Sequence, residues 1–163
     1  MTHDKLVEDI HALRNPEKID IYQRFFKTGK GEYAEGDVFL GLTMPQTREL
    51  VKKYAKNLTL DDIDTLLSDK HHEIRMAGVL ALVYFAQNKV HPIPDLARFY
   101  MQHVDGVNNW DLIDVSSEHI VGPYIQHHLS HEERVDFITK CIASSDLWIN
   151  RIIILASFHQ IKQ

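Results

Sequence analysis

Apolar residues recur at three- and four-residue intervals along almost the whole chain, the period of an amphipathic α-helix. The pattern predicts helices near residues 3–13, 16–28, 45–57, 59–68, 71–87, 92–104, 109–127, 131–143 and 146–161. Start signals sit where these segments begin. Asn15 precedes Pro16, a capping residue followed by proline at the first helical position, and Pro45 opens PQTRELVKKYAKNL in the same way. Thr59 with Asp62, and Ser130 with Glu133, have the spacing of capping boxes. Gly122-Pro123 is expected to break or kink the seventh helix. The one long irregular stretch is TGKGEYAEGDVFLGL, residues 28–42, and no pair of segments reads convincingly as strands. The expectation is an all-α protein.

The helices repeat. HHEIRMAGVLALVYF (71–85) and LWINRIIILASFHQI (147–161) each follow a Ser-Asp break, carry an early arginine and then run mostly apolar. Between Arg75 and Arg151 lies Asp114, 39 positions after the first and 37 before the second. A two-helix unit of about 38 residues matches an α-solenoid of HEAT or armadillo-like helical repeats. In such a stack the early positions of equivalent helices align, so Arg75, Asp114 and Arg151 are expected in one row facing one groove.

One segment departs from the pattern. NNWDLIDVSSEHIVG (108–122) supplies a buried stripe through Leu112, Ile113 and Ile120, yet it also holds Trp110, Asp114, Ser116, Ser117 and Glu118. Asp and Ser compete with the helical backbone for hydrogen bonds and are poor choices inside a helix. Trp110 and Asp114, four residues apart, project from the same helix face. Two readings are open. Trp110 is a half-buried core residue and Asp114 is solvated or bound to a neighbouring helix, or the two act together on a ligand.

Composition narrows the class. With 163 residues, 44% hydrophobic and 25% charged, the chain reads as a single domain, residues 1–163, with its own core. No apolar run approaches the ~20 residues that span a bilayer. The charged N-terminus MTHDKLVEDIHALR is not a secretory signal. Cys141 is alone, so there is no internal disulfide and no cysteine-based metal site. A cytoplasmic protein without membrane contact is expected. The formal charge of −5, from 23 acidic against 18 basic residues, taken alone argues against nucleic acid. The basic residues cluster, however: Arg24, Lys27 and Lys30; Arg48, Lys52, Lys53 and Lys56; Lys70 to Arg75. One basic face is enough to meet phosphates.

Eleven histidines invite a metal reading, but the HxxH of His128 and His131 brackets Ser130, a helix cap, and belongs to a turn. TGKGEYAEG lacks the spacing and the Lys-Ser/Thr of a phosphate loop. It is an interhelical loop or, through Lys27 and Lys30, a contact to a DNA backbone. No Ser-His-Asp triad can be assembled, and no metal or organic cofactor is expected.

Four ordered motifs carry a resemblance: RFFKTGKGEYAEGD (24–37), VFLGLTMPQTREL (38–50), NNWDLIDVSSEHIVG (108–122) and SDLWINRIIIL (145–155). Together they resemble the DNA alkylation repair family, the AlkD-like glycosylases of HEAT-like repeats that remove N3- and N7-alkylated purines from double-stranded DNA. The resemblance implies that Asp114 is the family's essential aspartate, Trp110 an aromatic beside the lesion and Arg151 a contact to the phosphate backbone. Phe25 or Phe26 falls near a family tyrosine. These roles suit the chemistry. An alkylated purine is already cationic and a good leaving group, so as it departs the positive charge passes to the sugar, and a fixed carboxylate stabilises that charge. Trp148 faces the same groove or packs in the core, and Arg75 touches DNA or ties neighbouring repeats. Family members usually continue for several more helices, whereas this chain stops at FHQIKQ after the apolar IIILASF. The repeat domain is therefore expected to be incomplete at its C-terminal end, and the helix containing Ile152 to Phe158 to drive self-association. The alternative is a non-catalytic HEAT scaffold that binds DNA or protein.

Overall fold

The structure, a computed structural model, describes residues 1–161 apart from the side chain of Gln160. The described residues are all-helical. The helices are α1 (Thr2–Ala12), α2 (Pro16–Phe25), α3 (Met44–Tyr54), α4 (Leu60–Leu67), α5 (His72–Gln87), α6 (Ile93–Gln102), α7 (Trp110–Asp114), α8 (Ser117–His127), α9 (His131–Ile142) and α10 (Leu147–Ile161). Short 3-10 turns extend α3 over Ala55–Asn57 and follow α6 over Val104–Val107. Extended pairing among the described residues is confined to an isolated bridge between Val38 and His71. The chain gathers into two compact units, Met1–Ala81 and Leu82–Gln163, which divide within α5.

The caps read in the sequence are made. Asn15 accepts from the Glu17 amide at 3.1 Å, and capping boxes close at Thr59 with Asp62 and at Ser130 with Glu133. Pro45 lies in the first turn of α3, where a missing N–H costs nothing, and Thr43 with Gln46 adds a third box. The second helix is shorter than expected. It ends at Phe25, because Lys27 turns into the left-handed region at φ 57° and the Thr28 amide closes back on the Gln23 carbonyl at 3.2 Å.

In the first unit α1 packs on α3 and α4 and buries Leu6 and Ile10. α4 meets α5 closely: a Cβ on Gly78 would stand 3.1 Å from Leu66 Cβ. The irregular stretch after α2 is held by a buried carboxylate. Glu73 accepts from the amides of Leu40, Gly41 and Leu42 at 2.9, 2.8 and 3.2 Å. Gly41 has φ 87°, and a side chain there would collide with the Asn15 carbonyl.

In the second unit α8 lies against α6 and α10. Gly122 marks the close approach, since a Cβ there would stand 2.6 Å from His159 Cβ and 3.0 Å from the Ala156 carbonyl. Ile120, Val121 and Ile125 of α8 and Ile152, Ile153 and Ala156 of α10 are buried. Pro123 sits inside α8 without ending it. The break expected at Gly122-Pro123 is not there; the segment is interrupted instead at Val115 and Ser116, between α7 and α8. There the Ser116 hydroxyl donates to the Leu112 carbonyl at 2.7 Å, the acceptor that a continuing helix would give to the backbone amide. Buried Tyr100 stands 2.8 Å from the same hydroxyl and is placed to donate to it.

Candidate active site

The polar run at 108–122 resolves into a one-turn helix set between two capped joints. Asn109 is fully buried, and its side chain accepts from the Trp110 amide at 2.8 Å, which starts α7. Ser116 stops α7 five residues later, and the segment buries Leu112 and Ile113. This leaves Trp110 half-buried at the head of the turn and Asp114 exposed at its foot.

α10 brings the partner. Asp146 caps it by accepting from the amides of Trp148 and Ile149 at 2.7 and 3.1 Å, and α10 packs on α7. Arg151 then reaches Asp114 as a two-pronged fork, Nε to Oδ1 at 2.7 Å and Nη2 to Oδ2 at 2.8 Å. The side chains are 38% and 35% exposed, so water screens the pair. The hydrogen bonds it donates to Asp114 push the Arg151 guanidinium further above its ordinary pKa. Asp114 is thus bound to a neighbouring helix, as the first of the two open readings has it, and still reaches solvent. Trp148, half-buried, lies three residues before Arg151 on α10.

Arg75, in the first unit, is buried. Its Nη2 lies 2.6 Å from Asp37 Oδ1, and Nη1 donates to the carbonyls of Asp69 and Lys70 at 3.2 Å each. The other Asp37 oxygen faces His72 Nδ1 at 2.9 Å, and the His72 ring lies 4.5 Å from that of Phe39 and 5.1 Å from that of Phe26. Burial alone would raise the Asp37 pKa, but the His72 hydrogen bond and the Arg75 charge hold it below the usual carboxylate range. Asp37 and Glu73 are not singled out in the sequence. A signal existed, since Asp37 precedes Arg75 by 38 residues and Asp114 precedes Arg151 by 37. The same kind of ion pair recurs at nearly the same sequence separation.

Lys27 and Lys30 are exposed in the first unit, and among the described residues neither ammonium has an ion-pair partner. The loop around them is closed by its own carboxylates: the Gly29 amide donates to Glu32 at 2.7 Å and the Gly31 amide to Glu35 at 2.8 Å. Those amides are therefore filled and do not form a ready phosphate cradle. Among the described residues no group of three or more His, Cys, Asp or Glu side chains has the arrangement of a metal site.

The arrangement is a half-exposed carboxylate–guanidinium pair set on α7 and α10, with a half-buried tryptophan four residues before the carboxylate. The family model described as DNA alkylation repair enzyme matches residues 6–163, and the chain belongs to that family. No curated relative matches the chain.

Proposed function

We propose that this chain is a DNA glycosylase that excises cationic N3- and N7-alkylated purines from double-stranded DNA. Asp114 stabilises the positive charge that develops on the deoxyribose as the base departs. The observation that carries the reading is a half-exposed carboxylate, held at a defined place on a one-turn helix, in a member of a DNA alkylation repair family. A base that is already cationic departs as a neutral purine without prior protonation, so a fixed negative charge facing the sugar is the group the reaction most requires. Trp110 contacts the sugar and attracts its charge by about 0.5–2 kcal/mol. Arg151 meets the phosphate backbone, with Trp148 beside it on α10 and Lys27 and Lys30 reaching the backbone from the first unit. For Arg75, burial and the Asp37 pair favour the tying role over DNA contact. The reading includes a HEAT-like solenoid, needs no cofactor and places the protein in the cytoplasm. It also includes self-association through α10, where Leu147, Ile154, Phe158 and Ile161 are exposed while Ile152, Ile153 and Ala156 are buried.

The test is release of free base from methylated duplex DNA. The protein should release 7-methylguanine and 3-methyladenine and leave uracil almost untouched. Asp114→Asn should slow single-turnover excision by roughly 100-fold or more while duplex affinity stays level or rises. Full activity in Asp114→Asn, or uracil released as fast as 7-methylguanine, would sink the mechanism. A second reading, a non-catalytic scaffold for DNA or protein, is favoured by the fork itself, because Asp114 is paired like the structural Asp37. Duplex binding with no base release would select it.

A further inference from the structure

The two Asp–Arg pairs share a spacing but not an environment. Asp37–Arg75 is closed over, its side chains 6% and 7% exposed, with His72 on the second carboxylate oxygen and main-chain carbonyls on the guanidinium. Asp114–Arg151 has no such cover. Among the described residues each is the other's only hydrogen-bonding partner, and Leu147 and Ile154, one turn to either side of Arg151, are exposed.

We propose that the Asp114–Arg151 fork is a latch opened by DNA: a backbone phosphate takes over Arg151 and so frees the Asp114 carboxylate. The value of the freed carboxylate rests on the glycosylase reading, but the exchange itself does not. A guanidinium offers phosphate the same pair of parallel donors that it offers carboxylate, so one two-pronged oxyanion replaces another. Half-exposed ion pairs contribute little to stability, and little opposes the exchange. While latched, Asp114 faces a cation that cancels most of its field. Once released, it presents a full negative charge to the sugar, at the moment a phosphate has placed that sugar nearby. The buried copy cannot open in this way, because its removal from water and its extra partners hold it shut.

Binding of an undamaged duplex to wild type, Asp114→Asn, Arg151→Gln and the double variant tests the exchange, since no turnover is involved. A latch requires that Asp114→Asn tighten binding when Arg151 is present, by roughly fivefold at the upper range of an exposed ion pair, because the fork is then free for phosphate. In the Arg151→Gln background the same change should tighten binding by less than about twofold. If the pair instead persists on DNA, the order reverses: Asp114→Asn helps most where Arg151 is missing, by removing an unpaired carboxylate. That order, or an additive cycle, overturns the latch. A second readout covers loss of folding in any variant. In wild type the Nε–H resonance of Arg151 should move when duplex binds, while that of Arg75 stays. A bound duplex with an unmoved Arg151 resonance also overturns it. A wild-type protein that binds no duplex defeats the DNA reading and the latch together, whereas a bound duplex without base release defeats only the glycosylase reading.

Discussion

Asp37 and Asp114 show how much the surroundings of one residue type decide. Both meet an arginine, 38 and 37 residues later, yet Asp37 is enclosed with His72 and Phe39 while Asp114 stands at the surface. The enclosed pair has a consequence for pH. The Asp37 pKa in the folded protein lies below its unfolded value, against the upward pull of burial, because His72 and Arg75 favour the ionised form. A depressed carboxylate stabilises the fold above its unfolded pKa of about 3.9 and loses that contribution as pH falls through the folded value. Wild type should therefore lose stability in acid more steeply than Asp37→Asn when urea midpoints are compared from pH 6 down to pH 3. At neutral pH the order is reversed, and Asp37→Asn is the weaker protein, since it leaves Arg75 buried without its counter-charge. Equal acid slopes in the two proteins would show that Asp37 is not the group that titrates.

At the scale of elements, the break between α7 and α8 gives the site its shape. A continuous helix over 109–127 would carry Asp114 in mid-helix, whereas the structure sets it at the foot of a single turn. Ser116 makes the break by taking the Leu112 carbonyl and receiving Tyr100. Ser116→Ala leaves the Tyr100 hydroxyl buried without that partner, at a cost of about 1–3 kcal/mol readable by chemical denaturation. Wild-type stability in the variant would remove Ser116 as the cause of the joint. The loop after α2 makes a different prediction. Lys27 and Lys30 are exposed and, among the described residues, without an ion-pair partner, so if they lie on DNA their joint change to Gln should weaken duplex binding and flatten its salt dependence by roughly 2 in slope. An unchanged slope would return the loop to a purely interhelical role. Most of these elements were legible, because caps and apolar spacing are local properties. The break at Ser116 was not, since Gly122-Pro123 is the stronger local signal and the partner that favours Ser116 comes from α6.

For the whole molecule, the last described helix matters most. α10 buries Ile152, Ile153 and Ala156 against its own unit and leaves Leu147, Ile154, Phe158 and Ile161 exposed. The patch that drives self-association in our reading is thus narrower than the run IIILASF and lies on one side of the helix. Ile154→Glu, which changes an exposed position, should shift the protein toward monomer in sedimentation at high concentration without loss of helix content. A wild-type protein that is already monomeric there would remove self-association from the reading.

The sequence by itself determined the all-α class, most helix ends and the membership of a DNA alkylation repair family, because period, capping residues and motif order are written locally. It also placed Arg151 at 37 residues from Asp114, nearly the separation of Asp37 and Arg75. Only the tertiary structure decided what that spacing does. It pairs the carboxylate with the guanidinium in the half-exposed copy, buries the equivalent pair with His72, and shows Gly122 to be a crossing point with α10 and not a helix break. The reason is physical. A side chain's choice among phosphate, solvent and a neighbouring helix depends on which atoms surround it and how much water they exclude, and those atoms come from segments distant along the chain.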